Sequence, residues 1–150
     1  MSAASDKVSL IVLAKQTAAN AKLEPALICA MVEQESNWNP WAMRYEPAFF
    51  AKYVAPLYTN NKIAASEAYA RGFSWGLMQV MGQVAREVGY SEPYLSALCN
   101  PPDALAVGCK VFLEKIGKAQ GDVKKALLLW NGGANSEYPA QVLARRERYL

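Results

Sequence analysis

The chain has 150 residues, of which 53% are hydrophobic and 19% are charged, and its formal net charge is +3. This balance predicts one globular domain over residues 1–150 and excludes a disordered chain. The charge is too small to favour a nucleic-acid partner. The absence of histidine excludes Ser-His-Asp and Cys-His catalysis and every histidine-ligated metal site.

The first predicted element is a helix that Ser5 caps and that runs to about Asn20. Its apolar run, residues 8–14, is short, and Asp6 precedes it. The small residues also lie before the run, whereas a signal peptide would place them after it. We therefore expect neither a signal peptide nor membrane insertion, and synthesis in the cytoplasm.

The second predicted helix begins at Pro25, which suits a first helical turn, and stops before Pro40. At 100° per residue, Glu35 lies about 20° from Ile28, whereas Glu33 lies about 140° away. Glu35 is therefore placed inside an apolar stripe at helical spacing, made of Leu27, Ile28, Met31 and Val32.

Glu35 is the first candidate catalytic residue. Burial among apolar side chains disfavours the anion and raises the pKa of a carboxyl, and a general acid near neutral pH requires such a shift. The alternative is a glutamate at a frayed helix end that points to water.

Residues 41–61 are predicted to be irregular, because two prolines interrupt a segment rich in aromatic residues. The segment is either a loop that caps the core or one wall of a sugar-binding cleft. Arg44 and Glu46 lie two residues apart and are expected to pair. Tyr45 and Glu46 remain further candidate site residues, with Glu46 as a possible second carboxyl.

A short predicted helix over residues 63–71 is followed by the sequence GFSWGLMQV, residues 72–80. Gly76 would let the backbone come close to a ligand. Taken alone, Met78 is typical of a core residue and Gln79 of a helix start, and the helix that follows runs to Val88.

The C-terminal third is predicted to hold further helices: one opens at Pro101, one is capped by Asp122, and one begins near Glu137. No stretch alternates with period two over five residues, so the predicted fold class is all-α, with six to eight helices in one domain. The last helix carries basic residues expected on its solvated face: Arg145, Arg146 and Arg148.

The three cysteines, Cys29, Cys99 and Cys109, are an odd number without a CxxC pair. We expect free thiols packed as small apolar groups, with a Cys99–Cys109 bridge as the alternative. No cofactor and no metal are expected.

Three separated stretches carry a resemblance to one family. Glu35-Ser36-x-Trp38-Asn39-Pro40 resembles the E-S-x-F/W-N-P segment of the lysozyme-like soluble lytic transglycosylases. Gly76-Leu77-Met78-Gln79-Val80 is similar to the family's G-L-M-Q-V/I segment, and Trp130-Asn131-Gly132-Gly133 to its Y-N-A/G-G segment. Tyr138 falls at a downstream tyrosine of the family, and residues 100–108 are similar to its D-P-x-x-N-I-x-x-G helix. The matches follow the family order over residues 25–143.

The resemblance implies a lysozyme-like domain that binds bacterial peptidoglycan glycan strands and cleaves their MurNAc–GlcNAc β-1,4 bond. Glu35 would be the acid, and no second carboxylate would be needed, because the substrate's own N-acetyl oxygen attacks the anomeric carbon. Glu35 would then accept the proton of the C6 hydroxyl as a 1,6-anhydro ring closes. Water in place of that hydroxyl would make the protein a hydrolytic muramidase.

The resemblance also assigns supporting roles. Ser36 would help to position Glu35, Met78 would lie under a sugar, Gln79 would hydrogen-bond substrate, and Asn131 would support the cleft floor. The chain departs from the family pattern at Trp130, where the family usually has tyrosine. An indole can only donate, so we do not expect Trp130 to do the work of that tyrosine, and Tyr138 can supply the hydroxyl instead.

Without a signal sequence or wall anchor, so short a chain suggests bacteriophage origin. It would act as a monomer on the cell wall or periplasm, either as an endolysin after release or within a virion. An intracellular fragment of a longer bacterial protein is another possibility. A rival interpretation is a catalytically weak glycan-binding virion protein that kept the cleft and lost turnover.

Overall fold

The computed structural model describes residues 3–150, with side chains from residue 6 onward. The chain is mainly helical, and a small three-stranded sheet interrupts the helices in the first half of the chain. The helices are α1 (Ala3–Asn20), α2 (Pro25–Ser36), α3 (Pro47–Phe49), α4 (Ala55–Thr59), α5 (Ala65–Arg71), α6 (Gly82–Glu87), α7 (Pro101–Lys118), α8 (Val123–Asn131) and α9 (Tyr138–Arg146).

The first two helices pack against each other. The helix α1 begins at Ala3, so Ser5 lies inside its first turn and is not its N-cap, and the Ser5 side chain lies outside the described residues. Pro25 occupies the first turn of α2, as predicted.

The helix α2 is the centre of the core. Every residue from Ala26 to Val32 is buried, so the burial extends around the helix and is not confined to the predicted stripe. A helix that is apolar all round has neighbours on all sides. Here α1 packs on one side of α2 and α9 packs on another.

The sheet was not predicted. Its strands are β1 (Met43–Tyr45), β2 (Phe73–Trp75) and β3 (Val80–Met81), and both neighbouring pairs are antiparallel. Strands of two or three residues are too short to show alternation in the sequence.

The irregular loop predicted over residues 41–61 is wrong for most of its length. It contains β1, α3, a π-helical turn over Phe50–Val54 and α4. Pro47 and Pro56 each lie at the start of a helix rather than interrupting one, because proline lacks only an N–H that is unpaired in a first turn.

The predicted C-terminal helices are confirmed. The Asp122 side chain accepts a hydrogen bond from the Lys125 N–H at 3.1 Å and caps α8, and Gly132 ends that helix in the left-handed conformation. The basic residues after Gln141 are partly exposed, and each forms an ion pair with an acidic residue of α2 or with its N-cap, Glu24.

No helix in the described part of the chain is long and apolar enough to cross a membrane. All three cysteines are free thiols, and Cys29 and Cys109 are buried. Burial raises the pKa of each of these two thiols to about 11.

The β2–β3 hairpin depends on Gly76. Its φ is +69°, and a Cβ placed there would lie 2.3 Å from the backbone carbonyl oxygen of Leu98. The Gly76 N–H also donates to the Ala42 carbonyl oxygen at 2.7 Å. The close approach that glycine permits is therefore to the protein's own backbone and not to a ligand, which corrects the expectation drawn from the sequence.

We predict that Gly76→Ala destabilises the fold far more than Gly133→Ala. Both positions have positive φ, but nothing lies within 4 Å of a Cβ at Gly133. The control therefore carries only the backbone strain, about 1–2 kcal/mol. Gly76→Ala adds a clash with a backbone carbonyl, about 1–3 kcal/mol more. Urea unfolding of both variants measures the difference, and equal midpoints would contradict this packing.

Candidate active site

A cleft of about 820 Å³ runs across the molecule beside the end of α2. Its walls come from α2, the sheet, the segment after β1, and helices α6 to α9. The site residues predicted from the sequence that line this cleft are Glu35, Glu46, Gln79, Trp130, Asn131 and Tyr138.

Glu35 lies in the last turn of α2, and two donors converge on one of its oxygens. The Trp130 indole Nε1–H donates to Glu35 Oε1 at 2.9 Å, and the Tyr138 hydroxyl donates to the same oxygen at 2.5 Å. Trp130 lies near the end of α8, and Tyr138 is the first residue of α9. The loop between these helices therefore brings both donors to one carboxyl.

Trp130 corrects an expectation. The indole was not expected to replace the tyrosine of the resembling family, yet its N–H reaches the carboxyl directly. Oε2 of Glu35 has no hydrogen-bond partner within the described residues. One carboxyl oxygen is thus held by the protein, and the other is left for a molecule in the cleft.

Burial raises the pKa of the Glu35 carboxyl above its ordinary value. The hydrogen bonds from Tyr138 and Trp130 and the positive charge of Arg44 oppose that shift without cancelling it. Arg44 itself is held by Glu46, whose Oε1 lies 2.6 Å from the guanidinium, so the expected Arg44–Glu46 pair is present. Both neighbours of the carboxyl that donate to it are neutral, which keeps the proton on Glu35 to higher pH than a guanidinium in contact would.

Ser36 positions the chain but does not touch the carboxyl of Glu35. Its hydroxyl donates to the Leu77 carbonyl oxygen at 2.8 Å and so ties the end of α2 to the β2–β3 hairpin. Asn37 and Trp38 follow with φ of 49° and 65°, which turn the chain sharply away from the helix axis.

Gln79 lies in the cleft with its amide already engaged. The Nε2 group donates to the Ala42 and Gly76 carbonyl oxygens at 3.0 and 2.9 Å, and Oε1 accepts from the Ser74 hydroxyl at 2.8 Å. Both amide protons are used, so the side chain is able only to accept one more hydrogen bond. If Gln79 contacts substrate as expected, its Oε1 accepts a hydrogen bond from a donor group on the sugar.

Besides Ser36, three of the expected site residues lie outside the cleft. Met78 is completely buried, and its side chain packs on Gly108, so it lies behind the wall and not under a sugar. Gly76 packs against Leu98, and the Tyr45 ring packs between Phe50 and Phe73 at 5.8 and 5.2 Å. All three support the walls of the cleft and do not line it.

The structure adds cleft residues that the sequence analysis did not identify. Phe49 and Tyr53, whose ring centres are 4.9 Å apart, line one wall, in the segment for which a sugar-binding wall was one interpretation. Gln34 lies beside Glu35, and its Oε1 is buried without a hydrogen-bond partner in the described structure. Glu87 and Lys115 also line the cleft, at helical positions that look like ordinary surface residues in the sequence.

Glu33, two residues before Glu35, has a different environment. Its carboxylate is 10% exposed, accepts from Arg148 Nη2 at 2.6 Å and from the Tyr149 hydroxyl at 2.8 Å, and lies 3.2 Å from Arg145 Nε. These partners follow along α9 and the short 3-10 turn after it. Arg146 pairs with Glu24 at 2.6 Å. The predicted solvated face is confirmed for Arg148, whose side chain is 63% exposed, whereas Arg145 and Arg146 are 34% and 32% exposed. All three arginines pair with acidic residues of α2 or of its N-cap and so hold the C-terminal helix against α2.

A family model described as "Transglycosylase SLT domain" matches residues 12–145. No curated protein and no solved structure matches the chain. In the described part of the chain, no group of three or more His, Cys, Asp or Glu side chains is arranged to hold a metal ion.

We predict opposite stability effects for the two neighbouring glutamates. Glu33→Gln loses charge-assisted hydrogen bonds and leaves Arg148 and Arg145 without their anion, which lowers the free energy of unfolding by about 1–3 kcal/mol. Glu35→Gln keeps an amide oxygen for Trp130 and Tyr138. It removes a carboxyl whose raised folded-state pKa costs stability once pH exceeds the unfolded value of about 4.3.

Glu35→Gln is therefore expected to be as stable as wild type or more so at pH 7, with an advantage that shrinks as pH falls through that value. Thermal melts of both variants at pH 7 and pH 4 provide the measurement. A Glu35→Gln protein that melts well below wild type at pH 7 would show that Glu35 is a structural anion.

Proposed function

The chain belongs to the transglycosylase SLT domain family, and from that membership we propose that it cleaves the MurNAc–GlcNAc β-1,4 bond with Glu35 as its single acid and base. The family has a mainly helical, lysozyme-like fold, and its activity is lytic-transglycosylase-type action on peptidoglycan. The observation that carries the proposal is the convergence of two neutral donors on Oε1 of a partly buried carboxyl in the cleft.

The two donors determine which oxygen of the Glu35 carboxyl carries the transferable proton. With Oε1 accepting from Trp130 and Tyr138, the transferable proton resides on Oε2. In the first step Oε2 gives this proton to the glycosidic oxygen, and the substrate's N-acetyl oxygen forms a bond to the anomeric carbon as the glycosidic bond breaks. The new carboxylate is stabilised by the same two hydrogen bonds, which strengthen when their acceptor becomes charged.

In the second step the carboxylate acts as a base. It accepts the proton of the C6 hydroxyl, whose oxygen attacks the anomeric carbon, displaces the N-acetyl oxygen and closes the 1,6-anhydro ring. The acid is restored and no water is consumed. Attack by water at this point would give muramidase hydrolysis, and the products of the two routes differ in mass by one water.

The environment of Glu46 supports a mechanism with one catalytic carboxyl rather than two. Glu46 lines the cleft, but its carboxylate is held by Arg44. A paired carboxylate is a weaker nucleophile and base than a free one. We propose that Phe49 and Tyr53 contribute an aromatic wall against which a sugar face packs, since Tyr53 is half exposed in the cleft.

We predict that Glu35→Gln loses cleavage of purified peptidoglycan by at least about 100-fold, the lower range for removal of a general acid. Glu46→Gln, a matched loss of a cleft carboxylate, is expected to keep most activity. Mass spectrometry of the soluble wild-type products should show ends that lack one water. Hydrated ends would favour the muramidase alternative, and equal losses in the two variants would indicate a two-carboxylate mechanism.

Tyr138→Phe is expected to move the alkaline limb of the pH–activity profile to higher pH. The hydroxyl stabilises the Glu35 anion, so its removal lets burial raise the pKa of the carboxyl further, by up to about one unit. Activity at the optimum should fall as well, because one of two bonds that orient the carboxyl is lost. Tyr45→Phe, outside the cleft, is the control with an unchanged profile. A shift to lower pH in Tyr138→Phe would contradict the assigned hydrogen bond.

A further inference from the structure

The α6–α7 end of the cleft contains two opposite charges that have no role in the chemistry at Glu35. Val84 and Glu87 are three apart on α6, and Val111 and Lys115 are four apart on α7, so each pair lies on one helix face. All four side chains line the cleft. This end therefore has an apolar floor with one acidic and one basic side chain.

Glu87 is held in place by a relay of buried polar groups. Gln83, 9% exposed, donates from Nε2 to Glu87 Oε1 at 3.0 Å, and its Oε1 accepts from Arg71 Nη1 at 3.1 Å. Arg71 is fixed in turn by Glu67, whose Oε1 lies 2.9 Å from its Nε. The relay uses one oxygen of Glu87 and leaves the other available, so the carboxylate is oriented before any ligand binds.

Lys115 is a cation in the cleft that has no acidic partner. The other basic side chain in the cleft, Arg44, is neutralised by Glu46. In the described part of the chain Lys115 makes no ion pair, with Glu87 or with any other carboxylate. The Glu87 carboxylate and the Lys115 ammonium are more than 4.0 Å apart and form no ion pair with each other. Both charges are therefore available to a ligand bound at this end of the cleft.

The α7 helix at this end of the cleft contacts the tryptophan that donates to Glu35. The Trp130 ring packs edge-on against Phe112, the neighbour of Val111, with ring centres 6.0 Å apart, and its indole reaches Glu35. An occupant of the α6–α7 end therefore shares the cleft with the sugar bound at Glu35. In peptidoglycan that sugar is MurNAc, and its lactyl group carries a peptide with both carboxylate and amino groups.

We propose that Glu87 and Lys115 bind the peptide stem of the MurNAc residue at the cleavage point, Glu87 through the stem's amino groups and Lys115 through its carboxylates. The proposal rests on the peptidoglycan activity proposed above. It makes the enzyme selective for peptide-bearing glycan over bare glycan. The selectivity resides in side chains that take no part in the acid–base chemistry at Glu35.

Binding measurements in the Glu35→Gln background test this without cleavage. The two ligands are soluble glycan fragments that carry stems and the same fragments after amidase treatment. We expect the parent protein to bind the stem-bearing fragments about tenfold more tightly. Adding either Lys115→Gln or Glu87→Gln should lower the ratio of the two dissociation constants, and the variant with both changes should bring it close to one. Lys118→Gln and Glu114→Gln, exposed charges on α7 outside the cleft, are matched controls that should keep the full ratio.

Chemical modification of the ligand assigns the two ends. N-acetylation of the stem amines should weaken binding to the Glu35→Gln protein and to Lys115→Gln in that background, but leave binding to Glu87→Gln unchanged. Amidation of the stem carboxylates should weaken binding to the Glu35→Gln protein and to Glu87→Gln in that background, but leave binding to Lys115→Gln unchanged. Equal affinity of the parent for both fragments, or an equal loss for both in the variants, would overturn the proposal. Stem-selective binding with no wall cleavage by wild type would instead reject the proposed function and keep this inference.

Discussion

The arrangement of this molecule depends on the burial of one carboxyl between helices that are remote in sequence. Glu35 is placed by α2, and its two donors come from α8 and α9. Burial alone would make the carboxyl costly, and a charged partner would make it a poor acid. Two neutral donors on a single oxygen avoid both outcomes, because they satisfy the buried group without supplying a full positive charge.

The same helix carries a candidate catalytic carboxyl and a structural one. Glu35 faces the cleft with neutral partners, whereas Glu33 faces α9 and its following turn with arginine partners. The α9 helix is consequently attached to α2 at both ends, through Tyr138 at its first residue and through Arg145 and Arg148 at its end. This double attachment holds the Tyr138 hydroxyl beside the Glu35 carboxyl.

The sequence identified the parts of this site that follow from local periodicity. The rotation of Glu35 away from Glu33 is a property of one helix, and the ends of α2, α8 and α9 carry the usual proline, aspartate and glycine signals. Partners remote in the chain were not predictable in this way. The anions that pair with the arginines after Gln141 lie more than 110 residues earlier. Glu87 looked like a surface residue because Arg71, which anchors its neighbour Gln83, lies on another helix. The strands were missed because they are shorter than the period that would reveal them.

The separation in sequence between Glu35, Glu33 and their partners determines when the surroundings of these carboxyls form during folding. The Tyr138–Glu35 and Tyr149–Glu33 bonds join residues 103 and 116 positions apart. Contacts of such separation pay a large loop-closure entropy and form late, after local helices are present. A polypeptide whose α9 has not yet docked lacks the Tyr138 donor at Glu35 and leaves that carboxyl more exposed to water. The buried environment of Glu35 is therefore completed in the same step that docks α9 onto α2.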